Sequence, residues 1–152
     1  VSQSTANVTG GTYHDIGMLW GARFLSPTGM FSSDNPTSHG IVPVNRHIVF
    51  MTDGKLDTGS SLYSAYGVDR DHNRIKGSGS TNDKHIARFL SVCDAVKSSK
   101  TTIWVIALDV TDTDQIDDCA TSPGHFYTSD GSNLESIFET IGRGIGNLRL
   151  TR

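Results

Sequence analysis

The sequence of 152 residues has no excess of positive charge, no long apolar run and few cysteines. Lys and Arg number 13 against 16 Asp and Glu, a formal net charge of −3. The arginines of the tail GRGIGNLRLTR are spread among apolar residues, which suits a helix end better than a phosphate track. Nucleic-acid binding therefore has little electrostatic support. No apolar stretch approaches the roughly 18 to 20 residues of a membrane span. The chain opens on VSQSTANVTGG, without an initiator Met and without the apolar segment of a signal peptide, and is expected to be part of a longer protein.

Catalytic signatures are also missing. There is no G-x-S-x-G elbow and no P-loop spacing. Of the histidines His14, His39, His47, His72, His85 and His125, none pairs with another at i, i+4, so a zinc site has no basis. His14 and Asp15 are adjacent, and neighbours on a helix point about 100° apart, so they do not form a base and its orienter. DRDHN at 69–73 alternates like calcium ligands but lacks the glycine and distal glutamate of an EF-hand loop; it reads as a solvated loop. NVT at 7–9 matches a glycosylation sequon, a pattern common by chance. Cys93 and Cys119 read either as two small buried apolar residues or as one disulfide.

What is present is an alternation of element types in one domain's worth of chain. His14–Leu25 predicts a helix with Ile16, Leu19, Trp20 and Phe24 as its apolar stripe, stopped by Pro27 and Gly29. Residues 28–45 are turn-rich. HIVFM at 47–51 is a continuous apolar run, the pattern of a strand buried on both faces. Residues 54–82 read as a long loop, and a helix follows from about Asp83 to Ser98 with Ile86, Phe89, Leu90, Cys93 and Val96 on one side. TTIWVIALDV at 101–110 predicts a second buried strand, TDQIDDCA a short acidic helix closed by Pro123 and Gly124, and HFYTS at 125–129 a third strand. A last helix, capped by Ser132 or Asn133, carries Leu134, Ile137, Phe138, Ile141, Ile145 and Leu148. Strands alternating with amphipathic helices imply an α/β, Rossmann-like parallel sheet with helices on its faces. The ligand crevice of such a sheet lies at the carboxyl ends of its strands.

Two stretches point at that rim. In GGTYHDIGMLWG (10–21), Gly10 and Gly11 permit a tight turn and Thr12 offers a hydroxyl near a helix amino end. In HIVFMTDG (47–54), a strand ends on Asp53, with Gly54 to let the chain turn away. A hydroxyl and a carboxylate are hard oxygen donors suited to Mg²⁺ or Mn²⁺. The bland readings are that Thr12 caps the following helix and that Asp53 accepts amides of its own turn. An enzymatic alternative is a hydrolase on a Rossmann-like sheet using Asp53 with a histidine of the 56–82 loop.

GGT before a helix, followed by an apolar strand ending in TDG, resembles the second and third metal-site motifs of von Willebrand factor A (vWA) domains. The longer series GGTYHDIGMLWGARFLSPTGMF, RHIVFMTDG, LYSAYGVDRDHNRI, HIARFLSVCDAVK, TIWVIALDV and DCATSPGHFYTSD…LESIFETIGRGIGNLRL is similar to the C-terminal part of TadG-like proteins of bacterial tight-adherence (Tad/Flp) pilus assembly. The resemblance implies a vWA-type fold and a non-enzymatic role in pilus assembly or adhesion, with a protein partner in the pilus or envelope. It also implies a periplasmic or cell-surface location and a membrane anchor elsewhere in the full-length protein. Thr12 and Asp53 match the threonine and aspartate of a metal-ion-dependent adhesion site. The Asp-x-Ser-x-Ser strand of that site is absent, and SQST at 2–5 does not replace it. The chain thus corresponds to the C-terminal half of such a domain, and Mg²⁺ is expected only where the missing segment is supplied. Outside the cytoplasm Cys93 and Cys119 are candidates to oxidise. The strand at 47–51 would lose its neighbour, so the fragment is expected to self-associate through that edge or to cover it with its own segment 1–10 or 28–45.

Overall fold

A computed structural model describes residues 10–147. SQST, NVT, the segment 1–9 expected as a cover of the strand edge, Leu148 and the last two arginines lie outside the described residues. The elements in order are α1 (His14–Leu25), β1 (Ser38–His39), β2 (Val42–Pro43), β3 (Arg46–Thr52), β4 (Tyr63–Ser64), β5 (Gly67–Val68), α2 (Asp69–His72), α3 (Thr81–Ser98), β6 (Thr101–Leu108), β7 (Phe126–Ser129) and α4 (Leu134–Asn147), with short 3-10 turns at Ser32–Asp34, Asp117–Cys119 and Pro123–His125. The architecture is mixed α/β. A three-stranded parallel sheet runs in the order β3-β6-β7, with β3 paired to β6 from Arg46–Thr101 to Thr52–Ala107 and β6 to β7 from Val105–Phe126 to Leu108–Ser129. The two hairpins β1-β2 and β4-β5 stand apart as antiparallel pairs inside the segments read as loops.

The sheet has two unequal faces. Ile48 and Phe50 of β3 and Ile103, Val105 and Ala107 of β6 pack against Met18 of α1 and Phe89, Cys93 and Val96 of α3. On the opposite face Trp104 and Ile106 of β6 and Tyr127 of β7 meet Leu134, Ile137, Ile141 and Ile145 of α4. β6 lies between two neighbours and under helices on both faces, so it is buried along nearly its whole length. β3 is not: Val49 is 40% and Met51 49% exposed. The expectation of a strand buried on both faces is thus corrected. A continuous apolar run reports burial only if both faces are covered, and α4 covers β6 and β7 but not β3.

A second correction concerns α1. Its inward residues are His14, Asp15, Met18 and, in part, Ala22, which repeat at helical spacing. The expected stripe turns partly outward: Trp20 is 40% and Phe24 54% exposed, and Phe24 stacks on Phe31 of the following loop at 4.8 Å. The polar pair at 14 and 15 hides the true inward face from a hydropathy count.

α3 begins at Thr81, earlier than expected, because Ser80 and Asp83 form a capping box in which each side chain binds the other's backbone N–H. The acidic segment after β6 is not an α-helix but two 3-10 turns, the second opened by Pro123. β6 ends at Leu108, two residues before the expected limit. The β1-β2 segment does not pair with the open edge of β3, so the expectation that 28–45 covers that edge is not met by strand pairing.

Cys93 on α3 and Cys119 on the first of these turns are joined by a disulfide, with Cα atoms 5.2 Å apart. Lys97 Nζ donates to the Asp118 carbonyl beside it at 2.9 Å. Both cysteines are fully buried among Phe89, Val96 and Ile116. Closing a loop over a separation of 26 residues stabilises by about 3 kcal/mol in the chain-entropy model. A Cys93→Ser, Cys119→Ser variant should lose about that much in urea denaturation, and the unreduced, denatured parent should titrate no free thiol. Two titratable thiols would contradict the bridge.

Candidate functional site at the carboxyl ends of the strands

Each strand of the parallel sheet ends at an aspartate: Asp53 after β3, Asp109 after β6 and Asp130 after β7, all exposed. Two of these ends share one local chemistry. In Thr52-Asp53-Gly54 the buried Thr52 hydroxyl accepts the Gly54 N–H at 3.3 Å, and in Ser129-Asp130-Gly131 the buried Ser129 hydroxyl accepts the Gly131 N–H at 2.9 Å. The hydroxyl residue closes the turn, and the aspartate beside it is exposed, Asp130 also accepting the N–H and hydroxyl of Ser132. Asp53 therefore does not take the amides of its own turn, as one reading held; Thr52 takes that role. Gly131, at φ 96, needs glycine's freedom, whereas Gly54 does not adopt a positive φ. Asp109 itself sits at φ 53 and its N–H donates to the Ser129 carbonyl at 2.7 Å. A hollow of about 390 Å³ lies beside it, lined by Asp109, Thr128, Ser129, Asp130, Ser132 and Asn133. Hydrogen bonds from Ser132 hold the Asp130 carboxyl below the usual carboxylate range.

The GGT segment comes to the same end of the sheet. Thr12 forms an isolated β-bridge with Asp57, its N–H donating to the Asp57 carbonyl at 2.6 Å and its carbonyl accepting from Asp57 N–H at 3.1 Å. Gly11 reaches this bridge at φ 133, and a Cβ there would come within 3.0 Å of Leu62 and 3.2 Å of the Tyr13 ring. Thr12 does not cap α1: the cap residue is Tyr13, and no side chain serves it.

Behind the rim the polar residues of α1 separate. His14 Nε2 lies 3.1 Å from Thr52 Oγ1. Thr52 gives its own proton to the Gly54 carbonyl at 3.0 Å, so His14 is the donor and its neutral ring carries hydrogen on Nε2. Burial pushes its pKa below the ordinary histidine value, against a hydrogen bond to Gly54 and the nearness of Asp15, which both favour the charged form. Asp15 turns the other way. Its Oδ2 accepts from His85 Nδ1 of α3 at 2.9 Å and lies 3.5 Å from Arg88 Nε. Arg88 Nε also donates to Tyr66 Oη at 2.6 Å, and the Tyr13 ring stands edge-on to His85 at 5.0 Å. His14 and Asp15 thus form no dyad, as the helical geometry predicts, and each has a partner no local motif indicates. The signal that was available is polarity on the inward face of a helix.

The loop histidine of the enzymatic alternative, His72, holds the Val68 carbonyl through Nδ1 at 3.1 Å, and among the described residues no hydrogen bond joins it to Asp53. DRDHN forms the single turn α2, ended by Asn73 at φ 40. A groove of about 550 Å³ lies away from the rim, between α1 and α3, with Leu19, Leu25, Ile48 and Val96 among its lining. Among the described residues no helix is long and apolar enough to cross a membrane, and no three His, Cys, Asp or Glu side chains gather as a metal-binding group. Of the residues matched to a metal site, Thr12 offers one hydroxyl and Asp53 one carboxylate, and the hydroxyl next to Asp53, that of Thr52, is already committed. Mg²⁺ requires near-octahedral oxygen coordination and dehydrates reluctantly, so these residues alone do not fit it. Comparison with family models, with curated proteins and with solved structures yields no match.

Two measurements follow from this geometry. Calorimetric titration of the chain with Mg²⁺ should show no site of micromolar affinity; a site of that strength would mean that donors beyond Thr12 and Asp53 complete the shell. His85→Ala should destabilise by about 3 kcal/mol, because it strips the main partner from a fully buried carboxyl. A loss under ~0.5 kcal/mol, the usual size for a neutral surface change, would show that the pair does not hold α1 to α3.

Proposed function

We propose that the chain is a non-enzymatic binding or scaffold module of a bacterial tight-adherence pilus system, built as the C-terminal part of a vWA-like domain. The observation that carries this reading is the Thr12–Asp57 bridge, which ties the GGT segment to the chain three residues past TDG, beyond the carboxyl end of β3. In the vWA pattern these two segments supply the threonine and the aspartate of one metal site. The missing Asp-x-Ser-x-Ser strand would lie against β3, whose outer side has no neighbouring strand among the described residues. Mg²⁺ is then a cofactor of the complete domain, held in part by Thr12 and Asp53. The working compartment is the periplasm or cell surface, where a buried disulfide persists, and the partner is a protein of the pilus or envelope.

In the organism that encodes it, deleting the gene should abolish pilus display and tight surface adherence while leaving growth unchanged. Undiminished adherence would overturn the reading. Turnover of generic ester, phosphoester or peptide substrates by the purified chain would instead favour an enzyme.

The open edge of β3 bears on association. Among the described residues no strand pairs with its outer side, which is thus a template for another strand, and neither proline nor an outward charge at its centre blunts it. Where its own segment 1–10 does not cover this edge, the chain should run as a dimer in light scattering. Val49→Lys, at a residue already 40% exposed, should give a monomer with little change in Tm. A monomer mass for the parent chain counts against pairing at this edge.

A further inference from the structure

Trp104 stands on β6 under α4, and two histidines reach its indole from separate parts of the chain. His47, near the start of β3, stacks on it with ring centroids 6.4 Å apart and lies 3.2 Å from Trp104 Nε1 through its own Nδ1. His125, at the end of the 3-10 turn before β7, tilts against the same indole at 4.2 Å, with Nδ1 2.7 Å from Ser122 Oγ. α4 rests there as well: a Cβ on Gly144 would come within 2.8 Å of the indole.

An indole N–H only donates, so His47 Nδ1 must present its lone pair and the neutral ring carries hydrogen on Nε2. That Nε2 is buried and has no hydrogen-bond partner among the described residues. A second proton on His47 would set N–H against N–H at the indole. It would also place a charge on a ring whose other N–H is already unpartnered, beside a second imidazole. Among the described residues the surrounding charges offer no relief. Arg46, the next residue along β3, turns to the opposite face and donates to the Asn35 and Pro36 carbonyls. On α4, Arg143 is exposed and pairs with Glu139. His125 is the titratable neighbour that acts on His47, and it too disfavours the charged form, after burial, which is the larger cause.

We propose that the His47–Trp104–His125 stack is an acid-sensitive latch: neutral His47 fastens the amino end of the sheet's edge strand to the indole on which α4 rests, and protonation releases it. The pKa of His47 is depressed in the folded chain. Its contribution is therefore fully present above the ordinary histidine value near 6.5 and is lost as the pH falls from there through the depressed folded value. The latch acts in the window in which histidine alone among unperturbed side chains changes charge.

The test follows Tm and tryptophan emission between about pH 7 and about pH 5 in a Trp20→Phe background, which leaves Trp104 as the reporter. His47→Gln keeps an acceptor for the indole N–H but cannot titrate. The parent should lose Tm on acidification, by about 4 °C for a tenfold change in proton affinity, and its emission should shift to the red. His47→Gln should abolish the red shift and reduce the Tm loss to the share that His14, whose pKa burial also lowers, contributes. His125→Gln removes the repelling neighbour and should move the midpoint to higher pH. NMR titration of the parent's imidazoles needs no histidine variant, and should place His47 below the ordinary histidine value. Equal acid slopes in the parent and His47→Gln, or a His47 ring that titrates at or above that value, would overturn the proposal.

Discussion

A carboxyl group with no solvent exposure must be paired, and Asp15 is such a group. His85 and Arg88, one turn apart on α3, supply its partners, His85 across a sequence separation of 70 residues. This contact sets the rotation of α1 against α3. With Asp15 turned toward α3, Met18 and Ala22 follow into the core, while Trp20 and Phe24 are carried outward. The same rotation places His14 against Thr52 and leaves Tyr13, Thr12 and the glycines before them at the carboxyl end of the sheet. The rim is thus built on a buried polar pair rather than on apolar packing alone. Such a pair is a weak source of net stability but a strong source of a single arrangement, because every alternative leaves a charge unpaired.

The rim divides its work between two kinds of side chain. Thr52 and Ser129 are buried and hold the turns, while Asp53 and Asp130 next to them face water. A hydroxyl can donate and accept at once, so it closes a turn without bringing a charge inside. Both carboxylates are exposed at the end of the sheet where α/β folds bind their ligands, with Asp130 held in its turn by Ser132.

The two faces of the sheet differ in how completely they are covered, and much of the remaining behaviour rests on this. α1 and α3 cover one face from β3 to β6, whereas α4 covers only β6 and β7 on the other. Val49 and Met51 are left bare on the α4 side, at the strand whose outer side has no neighbouring strand among the described residues. The edge strand is tied to the covered part of that face at its amino end, where His47 meets Trp104.

Local patterns in the sequence carried a good deal. The alternation of apolar runs with amphipathic stretches was enough to assign α1, β3, α3, β6, β7 and α4 to their types, because hydrophobic period depends only on neighbours along the chain. The chemistry of TDG as a strand end was legible for the same reason, and its repetition as SDG at 129–131 was there to be read. Tertiary structure alone decided which face of α1 points inward, since the deciding contact, Asp15 with His85, joins residues far apart in the chain. It also decided that HIVFM has one bare face, because burial depends on what covers a strand and not on the strand. The partners of His14, His47 and His125 were fixed in the same way. A histidine's role follows from the donor or acceptor that folding brings to its two nitrogens, and no spacing in the chain records that.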